Sequence, residues 1–377
     1  MPAPSGGVRE VAAVFVRLGL TAFGGPAAHL SMMQEEVVRR RRWLPREEFL
    51  DLVGAANVIP GPSSTELALH LGYRRAGWPG LLAAGAAFIL PASLVTLLFA
   101  WAYVAFGALP SFLRVFAGVK PVVLAIILNG LFVLGRIVAR SRGLVALGGL
   151  VALLALLRHH EVALLFGAGL LVAAIRLARK PGGSHAALLP LLGGTGAAAP
   201  ATAAAVSLSG LFFVFLKVGA LLFGSGYVLL AFLQADLVQR RGWMTDGQLL
   251  DAIAVGQFTP GPVFTTATFI GYVLGRVPGA AAATFGIFLP AFIYVALTAP
   301  ALPRLRTVPA LGGFLDGANA AALGLMAAVA VTLSRSAITG VPTALLTVAS
   351  LVVLVLTRLN PAWLVLLGGA AGALFAL

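Results

Sequence analysis

The chain has 377 residues, 60% of them hydrophobic and only 10% charged, with a mean hydropathy of +1.01. A soluble globular domain holds about 45–50% apolar and about 25% charged residues, so this composition excludes a water-soluble enzyme and a disordered chain and points to an all-α polytopic membrane protein. At about 20 apolar residues per span there is room for about ten transmembrane helices, and 45 glycines let such helices pack closely. The lack of cysteine rules out disulfides, thiolate metal sites and cysteine nucleophiles. The net charge of +14 would raise the question of nucleic acid in a soluble protein. Here the basic residues sit in short loops between apolar stretches, where the positive-inside bias places them, and no nucleic-acid partner is expected.

In chain order, apolar segments fall at about 11–30, 48–71, 80–107, 112–139, 143–157 and 161–177, then at about 207–232, 247–273, 279–300, 310–334, 341–357 and 362–377. The first starts near Val11 and runs on without a small-residue cleavage site, so no removable leader is expected. Arg39 to Arg42 followed by Trp43 read as a headgroup-level anchor. A small-residue tract separates the two sets and reads as a flexible linker over 179–206. The expected organisation is an N-terminal transport repeat over 1–178 and a C-terminal one over 207–377.

The two sets are copies. At an offset of 200, Gly19, Phe23 and Gly24 fall on Gly219, Phe223 and Gly224, and Gln34, Arg41, Trp43 and Asp51 fall on Gln234, Arg241, Trp243 and Asp251. Pro60-Gly61-Pro62 falls on Pro260-Gly261-Pro262. At an offset of 199, Gly72-Tyr73, Pro79-Gly80 and Pro91 meet Gly271-Tyr272, Pro278-Gly279 and Pro290. Proline removes a backbone donor and glycine loosens a helix, so the Pro-Gly-Pro segments are not straight helices. If the first is re-entrant and the opening helix crosses, the first copy has five crossings, and one face collects thirteen cations against about five. Odd parity then turns the second copy over, and its equivalent loops keep only Arg240, Arg241, Arg276 and Arg335. The expected fold is an inverted-topology repeat of two homologous halves with interrupted or re-entrant helices.

Inverted repeats with broken helices point to a transporter whose substrate sits between the copies. Gly24-Gly25-Pro26 and Gly61-Pro62 each look like a helix end followed by a new helix with proline in its first turn. Helix N-termini favour anions. The candidate donors are the amides of Gly24, Gly25, Gly61, Gly224 and Gly261, the hydroxyls of Ser63, Ser64, Thr65, Ser225, Thr265 and Thr266, the amide side chains of Asn57 and Gln257, and His29. Donors without an acidic cage suit a tetrahedral oxyanion better than a metal cation; no metal and no cofactor is called for. His159-His160-Glu161 lacks metal-ligand spacing. Arg17 and its repeat partner Lys217, and the one-sided Lys120, are candidates for drawing the anion inward. Glu66, in an apolar setting, is the candidate proton-coupling residue. Asp51 and Asp251 read as capping residues near loop ends.

These residues resemble a known family. Phe23-Gly24-Gly25-Pro26 with His29, Ile59 to Glu66, and Gly72-Tyr73-Arg74-Arg75-Ala76-Gly77 look like the first-half signatures of the chromate ion transporter family in its two-domain, long-chain form. Phe223 to Tyr227, Gly242-Trp243, Gln257 to Pro262 and Gly271-Tyr272 look like the second half, with Ser225 standing where a third glycine is expected. The resemblance implies a multi-pass protein of the bacterial inner membrane that exports chromate, a sulfate-like oxyanion, using the proton gradient; chromate or sulfate, protons and the lipid bilayer are its implied partners. A homodimer stays open. A passive anion channel could use the same helix ends, and an intramembrane enzyme would need Ser63 or Ser64 as nucleophile with His70 as base.

Overall fold

The structure, a computed structural model, describes residues 7–57, 59–178, 205–223, 228–301, 309–357 and 359–375. The expected linker lies almost wholly outside the described residues. Within them every regular element is helical. The first half contributes α1 (Val8–Thr21), α2 (Gly25–Gln34), α3 (Arg46–Ala56), α4 (Ser63–Phe106), α5 (Pro110–Val138), α6 (Arg142–Leu156) and α7 (Glu161–Ala178). The second contributes α8 (Leu208–Leu221), α9 (Leu229–Leu233), α10 (Asp246–Phe258), α11 (Thr266–Thr298, behind a 3-10 turn Val263–Thr265), α12 (Pro309–Ala337), α13 (Val341–Leu356) and α14 (Pro361–Phe375). Among the described residues five helices are long and apolar enough to cross a bilayer, in α4, α5, α7, α11 and α12, while α6, α8, α13 and α14 are apolar but shorter.

The irregularities recur along with the helices. α2 and α9 each widen into a π-helical turn, Glu35–Arg40 and Gln234–Arg240. α4 leaves helical geometry at Ala76 (φ −140°, ψ 24°) and Gly77 (φ 62°, ψ −149°), and α11 does so at Gly275 (φ −146°, ψ 22°) and Arg276 (φ 54°, ψ −148°). There the chain reverses. Gly72 lies directly on the Gly80 carbonyl, and Gly271 on that of Gly279, although residues eight apart on one straight helix stand about 12 Å apart. α4 and α11 are therefore hairpins of a short arm and a long arm, and glycine at both faces permits the contact.

The Phe-Gly-Gly break also folds back. Past the first π turn, Trp43 Nε1 donates to Glu10 Oε1 at 3.0 Å, near the start of α1. Arg75, at the tip of the α4 hairpin, reaches the same carboxylate at 2.8 Å. Arg74, beside it, pairs with Glu48 in the first turn of α3. So α1 and α2 dip inward and return to one end of the molecule, and α3 with the short arm of α4 does the same. The sequence leaves open whether this break is re-entrant; Gly24 and Gly25 (φ 104° and 78°) turn the chain there, so α1 is half of a hairpin and the odd count of crossings argued from the sequence no longer follows. α8 starts at the opposite end. Trp243 packs on Gly210 and Arg240 pairs with Glu161 at the head of α7, whereas Arg176, near the tail of α7, pairs with Asp316 on α12. The long arms of α4 and α11 run side by side in opposite senses through the middle, with Phe292 over Gly85 and Ala299 in one cluster with Leu81.

Arg276 occupies backbone space that suits glycine, the residue in the same place in the other copy. Releasing that strain is worth about 1 kcal/mol, more than its exposed stacking on Tyr272 at 5.9 Å. Arg276→Gly is expected to raise the unfolding temperature in detergent, and Gly77→Ala to lower it.

Candidate functional site

The two Pro-Gly-Pro turns meet at the centre, and each is held by the other half. Proline deprives each turn of donors, and glycine takes a positive φ, 134° at Gly61 and 84° at Gly261. The Gly61 amide donates to the Leu222 carbonyl at 2.8 Å, and the Gly261 amide to the Ala22 carbonyl at 2.9 Å. Leu222 and Ala22 are the residues that end α8 and α1. The four interruptions therefore close on each other in two crosswise pairs. The fit is equally reciprocal: a Cβ on Gly261 would lie 3.1 Å from the Gly19 carbonyl oxygen, and one on Gly61 3.8 Å from that of Gly219. Gly61-Pro62 and Pro260-Gly261-Pro262 are buried. Across the seam, Thr96 and Thr259 stand with their hydroxyls 3.5 Å apart.

Several expected donors are already engaged. The amides of Gly61 and Gly261 bond to carbonyls and are not free for an anion. The hydroxyls of Thr265 and Thr266 donate to the carbonyls of Pro262 (3.0 Å) and Val263 (2.8 Å), as first-turn hydroxyls do when they back-bond. His29 is buried and supports the turn: its Nε2 lies 3.2 Å from the Ala22 carbonyl, which can only accept, so Nε2 carries the proton and the buried Nδ1 has no partner. The ring stands edge-on to Phe88, centroids 5.9 Å apart. Gly224 and Ser225 lie outside the described residues.

Other donors remain available. Ser63 and Ser64 head α4, where the first amides of a helix have no intrahelical acceptor. Thr65 follows, fully buried, its hydroxyl oxygen without a partner. Beside Gly25, at the head of α2, a Cβ would meet nothing within 4 Å, so that helix opening faces open space. Asn57, at the end of α3, is exposed, and Gln257, its counterpart in α10, is half-buried.

Glu66 is fully buried, neither carboxylate oxygen has a hydrogen-bond partner, and one of them sits against the Gly61 turn. Tyr294, from the long arm of α11, donates to the Ala220 carbonyl at 3.1 Å. No acid occupies the corresponding place after Pro262, where Thr265 and Thr266 stand.

The three expected cations all have acids beside them, although the Glu36 carboxylate beside Arg17 is shared with Arg40 and Arg41. Arg17 lies 3.7 Å from Glu36 with its side chain 60% exposed. Lys217 stands between Glu161 (3.5 Å) and Asp236, which also hold Arg240. Lys120 stands 3.6 Å from Asp251. Glu161 and Asp251, the latter marked as a cap by its place near a loop end, are both buried. The apolar run Leu249-Leu250-Asp251-Ala252-Ile253 was the signal for the second; nothing local announces the first.

A duplicated helical membrane chain, with paired interruptions buried at its centre and a carboxyl without a partner beside one of them, is built as a transport protein rather than an enzyme. The chain belongs to the chromate transporter family, whose profile matches residues 9–173 and again residues 209–373, one match for each half. It is 34% identical to the chromate transport protein of Cupriavidus metallidurans, over 93% of this chain and 89% of that one. It is 32% identical to the probable chromate transport protein of Synechococcus elongatus, over 93% and 90%. An uncharacterised transporter of Methanocaldococcus jannaschii shares 28% identity over 84% of this chain and 82% of that one. No solved structure matches.

A methyl group on Gly261 would collide with Ala92 and force a side chain into positive φ. Gly261→Ala is expected to reduce transport by the protein in vesicles about tenfold or more, since strain of this kind costs about 1–3 kcal/mol. Ala92→Gly in the same chain should restore part of it by removing the collision but not the strain.

Proposed function

We propose that this protein exports chromate across the bacterial inner membrane as a proton-coupled secondary transporter working by alternating access. The halves 1–178 and 207–377 act as inverted repeats joined by the segment 179–206. The observation that carries this reading is the crosswise pair of amide bonds, Gly61 to Leu222 and Gly261 to Ala22, which ties each half's second break to the other half's first. A substrate held at such a junction is exposed to one face or the other by rocking of the halves, without either helix opening being unmade. The entry of α1 at one end and of α8 at the other supports the inversion, as does the gathering of basic residues such as Arg41, Arg46, Arg74 and Arg75 at the end where α1 begins.

The anion is held by the donors left over at the junction: the first amides of α4 with Ser63, Ser64 and Thr65, and the α2 opening at Gly24 and Gly25, with Asn57 and Gln257 as side-chain amides. Neutral donors of this kind match the full set of oxygens on a tetrahedral dianion and release it readily, which a buried arginine would not. Glu66 carries the proton. A carboxyl with no partner in an apolar enclosure is far better accommodated neutral than charged, and its seat against the Gly61 turn lets its charge state oppose or permit the dianion. The family relatives named for chromate transport support the choice of substrate; sulfate has the same shape and charge.

In inverted membrane vesicles with a pH gradient, wild-type protein is expected to accumulate chromate, with sulfate competing more strongly than a monovalent anion. Glu66→Gln should lower gradient-driven accumulation about tenfold or more while leaving chromate–chromate exchange. Unchanged coupling in that variant would remove Glu66 from the mechanism.

A further inference from the structure

A second buried carboxylate lies in the seam between the halves and has no part in the site above. Asp251 stands one and a half turns into α10, past a start already capped by the reciprocal pair Thr245 and Gln248, so it is no capping residue. Its side chain is 5% exposed. Tyr103, from the long arm of α4, donates to Oδ2 at 2.9 Å. Lys120, from α5, lies 3.6 Å from Oδ1, beyond hydrogen-bond length, and Oδ1 is buried without a hydrogen-bond partner. Both neighbours belong to the first half and Asp251 to the second.

From here the seam leads to the centre. α4 and α10 pack in opposite senses, with Phe99 against Phe258 (centroids 4.8 Å apart) and Thr96 beside Thr259, next to Pro260. Asp251 is eight residues before Thr259, about 12 Å along the helix. The remaining elements against α10 bring no competing charge to it. α14 has no ionisable residue. On α12, Asp316 is paired with Arg176, and Arg335 lies in the last turn. On α11, Arg276 stacks on Tyr272, and Tyr294 bonds to Ala220. In the π turn, Asp236 and Arg240 are held with Lys217 and Glu161. The arrangement is one-sided: Asp51, the repeat partner, is exposed on α3, and Asn319 stands where Lys120 would be repeated.

We propose that Asp251, between Lys120 and Tyr103, is a second proton-binding carboxylate of the transport cycle. It rests on the proton-coupled reading above. Ionised, Asp251 holds the two halves together through Lys120 and Tyr103. When Oδ1 takes a proton from water, its attraction for Lys120 is lost, the ammonium keeps its own charge, and the seam is free to part. Buried ionisable residues at membrane depth are costly and are retained for such work. With Asn319 where Lys120 would be repeated, the second half supplies no lysine for an equivalent pair.

The test uses the full chain in liposomes, comparing wild type with Asp251→Asn and with Asp251→Asn/Lys120→Gln, which leaves no unpaired lysine. Chromate–chromate exchange and pH-gradient-driven accumulation are measured together. Both variants are expected to keep exchange within about threefold of wild type and to lose gradient-driven accumulation by about tenfold or more. Accumulation retained by either variant overturns the proposal, as does a parallel loss of exchange in the double variant, which marks a purely structural pair. A wild type that exchanges chromate but never accumulates it refutes coupled transport itself and this proposal with it; a coupled wild type with a coupled Asp251→Asn refutes this proposal alone.

Discussion

A peptide amide in hydrocarbon has to find an acceptor, because no water is present to supply one. Every interruption in this chain raises that demand. Pro-Gly-Pro and Phe-Gly break the helical ladder, so that helix ends are left with amides and carbonyls that their own segment cannot satisfy. The structure answers by exchange: the Gly61 amide donates to the Leu222 carbonyl, the Gly261 amide donates to the Ala22 carbonyl, and the Ala22 carbonyl also accepts a hydrogen bond from the His29 ring N–H. Neither half is complete alone. What a single copy would leave as two unsatisfied breaks, the duplication converts into a junction.

Most of the junction is electrically quiet. Lys217, Lys120 and Arg17 stand beside Glu161 and Asp236, Asp251, and Glu36, so each has an opposite charge within reach. Glu66 is the exception, a buried carboxyl for which the fold supplies no hydrogen-bond donor. Where nothing offsets a charge, the protonation state itself becomes the variable.

The two copies share a backbone and differ in their acids. Hairpin angles, π turns and glycine contacts repeat closely, whereas Glu66 faces a threonine-lined counterpart, Glu161 falls opposite Pro361, and Lys120 opposite Asn319. The acids are therefore where the two halves differ most, on a backbone that repeats.

Much of this protein was legible in its residues. Composition alone requires a membrane, and matched Trp, Gln, Asp and Pro-Gly-Pro spacings show the duplication, because rare residues do not coincide by accident. The Pro-Gly-Pro breaks could be placed to the residue, since proline and glycine act on their own backbone. What the sequence did not disclose were relations across distance. That the Phe-Gly-Gly break folds back depends on Trp43 finding Glu10, 33 residues away. That the Gly61 amide is consumed depends on Leu222 in the other half, and that Lys120 is balanced depends on Asp251. Local rules fix where a helix must stop; which partner then satisfies its open end is decided by packing alone, since any carbonyl or carboxylate of the right reach would serve.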